Sequence, residues 1–216
     1  RFMLRSLASL SIVALLAACS PGPDDSADGP ADEASASPTA GAAEQATGPD
    51  DMSDDGQAPP AKGYASSYTK LDLDICDVLD KSTGEGSWIE FRCPGLKDIP
   101  LFVSEGDGRF DVDAGIKNGD FATISAFNEI GDTIEWRLRD RVPFAVIFRY
   151  RDVSMESSPR SVLAVETIGS DGVPGCRVAQ IDGSAARANQ RAREIADTEA
   201  AGFDCASEPR YIGNAR

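Results

Sequence analysis

Ile134-Glu-Trp-Arg-Leu-Arg139 and Pro143-Phe-Ala-Val-Ile-Phe-Arg-Tyr-Arg151 stand on either side of Asp140-Arg141-Val142, and their alternation decides the class of fold. Successive side chains of a strand point to opposite faces, so residues two apart share a face. Ile134, Trp136 and Leu138 therefore fall on one side of the first segment, and Phe144, Val146, Phe148 and Tyr150 on one side of the second. Both sets belong in a core. Glu135, Arg137, Arg139, Arg149 and Arg151 project from the opposite side.

Working outward, the chain after Tyr64 repeats this texture: short runs of strand character separated by Gly, Pro, Asn and Asp. The two quoted segments are predicted as strands over 133–139 and 143–151, and further strands over 69–75, 88–93, 101–105, 109–113, 161–167 and 176–181, with Asp107-Gly108 as a tight turn between two of them. The connections are mostly too short for crossover helices, which argues against a doubly wound sheet. The expected fold is mainly β (α+β): an antiparallel meander, barrel or sandwich of about eight strands with one C-terminal helix. Ser184 is the predicted cap of that helix and Gly202 its stop. Ala188, Ala192, Ile195, Ala196 and Glu199 share one face of it, and Arg193 stands four residues before Asp197, the spacing of a helical ion pair.

The N-terminal third has another character. Arg5 precedes an apolar run from Leu7 to Ala18, long enough for a secretory signal and too short to span a bilayer. Leu16-Ala17-Ala18-Cys19 resembles the lipobox of bacterial lipoprotein precursors, which implies removal of residues 1–18 and lipidation of Cys19. From Ser20 to Lys62 the chain is Ala, Pro, Ser, Gly and Asp, with ten acids against Lys62 alone. Such a segment cannot bury enough surface to offset the entropy of ordering, and it reads as an acidic tether at 19–62. A single domain over 63–216 remains, long enough for a real core.

Cys76, Cys93, Cys176 and Cys205 are left for that domain, an even number in an exported chain. Three connectivities are open to four cysteines. Pairing Cys76 with Cys93 and Cys176 with Cys205 is preferred, because each pair brackets one local unit. Zinc is the poorer reading, since no pair has C-x-x-C spacing and the chain has no histidine.

Candidate sites are few. Arg137, Arg139, Arg149 and Arg151 on one face suit bidentate contacts with a carboxylate or phosphate. The competing reading pairs them across strands with Glu135, Asp140 and Glu156 on a solvated sheet. Glu105-Gly-Asp-Gly-Arg-Phe110, with Asp111 and Asp113, gathers acids at a turn. It fails the calcium-loop template, because Gly115 and Ala122 take the fifth and twelfth positions from Asp111. A hairpin with exposed acids is expected there, and Glu105 and Asp107 join the candidate interaction surface. The absence of histidine and of a G-x-S-x-G elbow argues against an enzyme, so no catalytic residue, metal ligand or cofactor is assigned. A net charge of −15 disfavours nucleic acid.

Glu105-Gly-Asp-x-Arg-Phe110, Phe127-Asn128-x-x-Gly131 with Ile134-Glu-Trp-Arg137, Pro143-Phe-Ala-x-Ile-x-Arg-Tyr150 and Phe203-Asp-Cys205 resemble a group of exported alphaproteobacterial proteins without an assigned activity. The resemblance implies a compartment and a single domain. The chain also shares size, export and disulfides with small periplasmic lysozyme inhibitors, whose S-G-x-x-Y motif it lacks. The expectation is an outer-membrane lipoprotein facing the periplasm, held to the membrane by its lipid, with a non-enzymatic interaction or envelope-maintenance role and an envelope protein or peptidoglycan-associated partner. The alternative is an inhibitor of an exported hydrolase such as lysozyme, toward which negative charge would steer a basic enzyme.

Overall fold

The computed structural model describes residues 63–154 and 160–216. The signal segment, Cys19, the acidic tether and Glu156 lie outside the described residues. In chain order the strands are β1 (Tyr64–Lys70), β2 (Asp77–Ser82), β3 (Trp88–Cys93), β4 (Leu101–Gly106), β5 (Arg109–Ala114) and β6 (Asn128–Ile130). They continue with β7 (Thr133–Arg139), β8 (Val142–Asp152), β9 (Arg160–Thr167) and β10 (Arg177–Asp182), then helix α1 (Ala188–Ile195) and β11 (Arg210–Ile212).

Two sheets form. One runs β1-β7-β8-β9-β10-β11, with β6 pairing the far end of β8; the other is β2-β3-β4-β5. All pairs are antiparallel except β10 with β11. The sheets stay open and pack as a sandwich, and α1 lies on the other face of the larger sheet. The larger sheet is therefore buried on both sides. Trp136, Val146, Phe148, Tyr150 and Val162 meet Leu101, Val103 and Val112 between the sheets. Ala145, Ile147, Leu163, Val165, Ala179 and Ile181 meet Ala188, Ala192, Ile195 and Ala196 beneath the helix. The small alanines allow the helix backbone to approach the sheet closely. Trp136 keeps its polar atom satisfied in the core by donating from Nε1 to Thr69 Oγ1 at 2.8 Å.

Several boundaries depart from expectation. The segment 69–75 is not one strand: β1 ends at Lys70 and a 3-10 turn covers Leu73–Ile75. Asp72 Oδ1 accepts from the Asp74 amide at 3.1 Å, so the Leu-Asp-Leu-Asp alternation that imitates a strand is a capped turn. β2, β6 and β11 add short strands, β2 exposed along its whole length. Ser184 does not cap the helix. Its amide and hydroxyl both donate to Asp182 Oδ1, and the helix starts at Ala188 after Arg187 in a left-handed conformation. The expected pair between Arg193 and Asp197 is not formed, because each side chain reaches across to the sheet instead.

The cysteines pair locally. Cys76 joins Cys93 with a Cα separation of 4.4 Å, and Cys176 joins Cys205 at 5.7 Å. The first ties the start of β2 to the end of β3, and the second ties the segment after the helix to the start of β10. Among the described residues no helix is long and apolar enough to cross a membrane.

Candidate functional site

The alternation of β7 and β8 does place arginines on a common face, but α1 closes that face. Arg137 is only 2% exposed. It donates from Nε and Nη2 to the two carboxylate oxygens of Asp197, at 2.9 and 2.6 Å, and from Nη1 to Ser66 Oγ. Arg193 of the helix donates to Glu135 Oε1 at 2.8 Å and to Tyr68 at 3.3 Å, and the Ser66 hydroxyl also donates to Glu135. Arg149 donates to Ser161 Oγ at 2.7 Å and to Asn189 Oδ1 at 3.0 Å. Arg139 sits exposed at the end of β7, its guanidinium 6.0 Å over the Phe144 ring, and Arg151 is half-buried in register between Glu129 and Ser161. Arg137 and Arg149 thus fasten the helix to the sheet and do not stand on an open surface. Removing either partner of a buried charged hydrogen bond strands the other, so this network fixes where the helix docks.

A second buried cluster lies at Arg177, which sequence reasoning did not single out. Its Nε donates to Glu166 Oε1 at 2.6 Å, and its Nη2 donates to the Ala122 carbonyl and to the Tyr150 hydroxyl, the latter at 3.0 Å. Asp111 Oδ1 lies 3.9 Å from Nη2, and the guanidinium stands 5.6 and 5.4 Å from the Phe148 and Tyr150 ring centroids. Burial, and then the neighbouring Asp113, push the Asp111 carboxyl up to about 7, against the pull of Arg177. Burial likewise pushes Glu166 up, to about 8, while Arg177 pulls it down. Tyr150 is raised by its burial. Several acids thus share one guanidinium, a composition in which protons must be retained. The acids after the turn are therefore internal, contrary to the expectation of exposed carboxylates: Asp111 is 3% exposed and Asp113 6%. The turn itself is as expected, Asp107 and Gly108 both taking positive φ, 53° and 68°.

Asp111 connects this cluster to an open cleft. The register of the smaller sheet aligns Trp88 with Gly106 and Arg109, and Glu90 with Ser104 and Asp111, so two rows of three residues share its outer face. The segment from Lys117 to Phe121 forms the opposite wall. Lys117 pairs with Glu90; the Asn118 backbone amide donates to Asp113 Oδ2 at 3.0 Å, and its side-chain Nδ2 donates to the Gly175 carbonyl at 3.2 Å. The wall is thereby pinned to β3, to β5 and to the turn before β10. The cleft has a volume of about 420 Å³. Glu105 and Asp107 stand at its mouth, where Glu105 accepts from the Gly108 amide at 3.0 Å and Asp107 accepts from Arg109 at 3.1 Å. The structure thus brings Glu105 and Asp107 together with Trp88, Asp111 and Phe121, and separates them from the arginines under the helix. Trp88, Glu90 and Asp111 carry a signal in the sequence only once the strand register is known.

No family model, curated protein or solved structure matches the chain.

Proposed function

We propose that the protein is a lipid-anchored envelope protein whose disulfide-bonded domain binds a partner in the cleft between the outer face of β3–β5 and the 117–121 segment. One observation carries this reading: the main charged clusters in the interior are paired among themselves, whereas the cleft leaves Trp88, Phe121 and a set of polar groups open to solvent. Concave sites with aromatic walls and a few placed polar groups are where proteins hold ligands. Two disulfides accord with an oxidising compartment, and the lipobox-like Leu16-Ala17-Ala18-Cys19 gives the anchor. The interior carboxylates Glu166 and Asp111 surround Arg177, and no reaction is assigned to them. The experiment is metabolic labelling with a fatty acid: wild type is expected to take up label and sediment with membranes, and Cys19→Ala to lose both. Unlabelled wild type removes the anchor from the reading.

A second reading, inhibition of an exported hydrolase, is favoured by the hairpin tip, where Asp107 has 79% of its side chain exposed. Asp107→Asn is then expected to relieve inhibition of a basic lysozyme at low salt, where steering is strongest. No inhibition by wild type under those conditions eliminates it for the enzyme tested.

A further inference from the structure

We propose that the cleft takes a saccharide, one or two sugar rings laid against Trp88 and Phe121 with their hydroxyls toward Glu90, Ser104 and Asn118. This names the ligand class of the cleft and rests on the cleft being the binding surface.

The charge arrangement weighs first against an anion. The cleft's two bases are already matched inside it, Lys117 to Glu90 and Arg109 to Asp107. Asp111, beneath them, is drawn toward its protonated form by burial. An anion needs a base, and both bases already face carboxylates; a cation needs a carboxylate, for which Glu105 and Asp120, also in the lining, are the remaining choices. A neutral polyol needs neither. Its hydroxyls donate and accept at once, and a carboxylate or ammonium engaged in one ion pair still has free lone pairs or hydrogens to offer.

The apolar half of the site points the same way. A pyranose ring exposes one face of C–H groups and a rim of hydroxyls, so it fits an aromatic face bordered by polar groups. Trp88 and Phe121, 36% and 47% exposed, border one cavity from the sheet and from the opposing wall. Gly106, between Trp88 and Arg109 in the register, places no side chain over the row. The volume, about 420 Å³, lies in the range of small-molecule sites, roughly 300–1,000 Å³.

The chain supplies its own reporter. It contains two tryptophans, and Trp136 is fully buried between the sheets, so a change in emission on adding ligand belongs to Trp88. The full chain, in a polyoxyethylene detergent that carries no sugar, is titrated with N,N′-diacetylchitobiose, cellobiose and maltose, and separately with Nα-acetyl-lysine amide. At least one disaccharide is expected to blue-shift the emission saturably below about 10 mM, and the lysine derivative to leave it unchanged. Gly119→Leu fills the cleft from its wall, since a Cβ there meets nothing within 4 Å; it is expected to weaken binding at least tenfold by calorimetry with an unchanged melting temperature. Trp88→Phe should remove the spectral signal while calorimetric binding persists. No response to any of the three disaccharides, a response undiminished in Gly119→Leu, or a response to the lysine derivative alone overturns the saccharide. If sugars fail while a photocrosslinker at position 121 still captures a partner, the ligand class is wrong and the cleft stands; if that crosslinking fails as well, the cleft itself is not the binding surface.

Discussion

Arg137 of the central sheet and Asp197 beyond helix α1 are joined by two parallel hydrogen bonds of 2.9 and 2.6 Å, with only 3% and 12% of their side chains exposed. Bidentate guanidinium–carboxylate contacts fix orientation as well as distance. This pair, with Arg193 and Glu135, sets the position of the helix over β7 and β8.

Loss of both partners should therefore cost less than the two single losses added together. Arg137→Met and Asp197→Asn are each expected to destabilise the domain, the former by about 3–5 kcal/mol because Glu135 and Asp197 then lose their shared counter-charge. The double variant is expected to be less destabilised than the sum, with a coupling of roughly 1–3 kcal/mol in a double-mutant cycle. Denaturant unfolding of the four proteins measures it. Strict additivity contradicts a direct interaction.

Stability should fall as pH rises through neutrality. Asp111 and Glu166 are raised in the folded state, to about 7 and about 8, from ordinary values near 4 in the unfolded chain. Between those limits the folded chain binds more protons than the unfolded one, so the stabilisation present at mildly acidic pH is lost on passing through the folded values. A decrease on the order of 2 kcal/mol is expected from about pH 5.5 to pH 8.5, or roughly 4–8 °C in Tm. Asp111→Asn should flatten part of that slope. A Tm that climbs over this interval contradicts the protonated cluster.

Two glycines should respond oppositely to a side chain. At Gly115, φ is +83° and a Cβ would stand 2.2 Å from the Gly169 carbonyl oxygen; at Gly119 it would meet nothing within 4 Å. Gly115→Ala is expected to lose at least about 2 kcal/mol, and Gly119→Ala to stay within about 0.5 kcal/mol. Thermal unfolding checks both, and equal effects would mean that the wall of the cleft lies elsewhere.

The disulfides should contribute separately. They close 17 and 29 residues, for which chain entropy gives roughly 3 kcal/mol each. Non-reducing peptide mapping is expected to recover Cys76 with Cys93 and Cys176 with Cys205. The double replacement Cys176→Ser with Cys205→Ser should loosen the segment after α1, seen as faster amide exchange over 202–212. Any crossed pairing contradicts the local-unit reading.

Much of this architecture could be read from side-chain alternation. β3 and β7 have the expected bounds, the Asp107-Gly108 turn is where its residues placed it, and the core faces of β7 and β8 follow from period two. What period two could not show was the helix on the other face. A signal was present: Phe144 to Phe148 is apolar without interruption, the texture of a strand buried on both sides. Ala145 and Ile147, among the arginines, needed cover, and the alanine stripe of α1 needed a surface. Joining these halves turns an open arginine face into an interface. The cleft was harder to see. Trp88, Gly106 and Arg109 become neighbours only through the pairing of β3, β4 and β5, and Arg177 meets Asp111 across separate sheets. No local spacing encodes either arrangement.

Photocrosslinking in cells examines the cleft most directly. With p-benzoylphenylalanine in place of Phe121, on the cleft wall, irradiation is expected to attach the full chain to an envelope component, and Gly119→Leu in the same chain to abolish the adduct. The same photoreactive residue in place of Val142, which is 64% exposed and outside the cleft lining, is expected to give none. An adduct from position 142 but not from 121, or one from 121 that persists with Gly119→Leu, would show that the partner binds elsewhere.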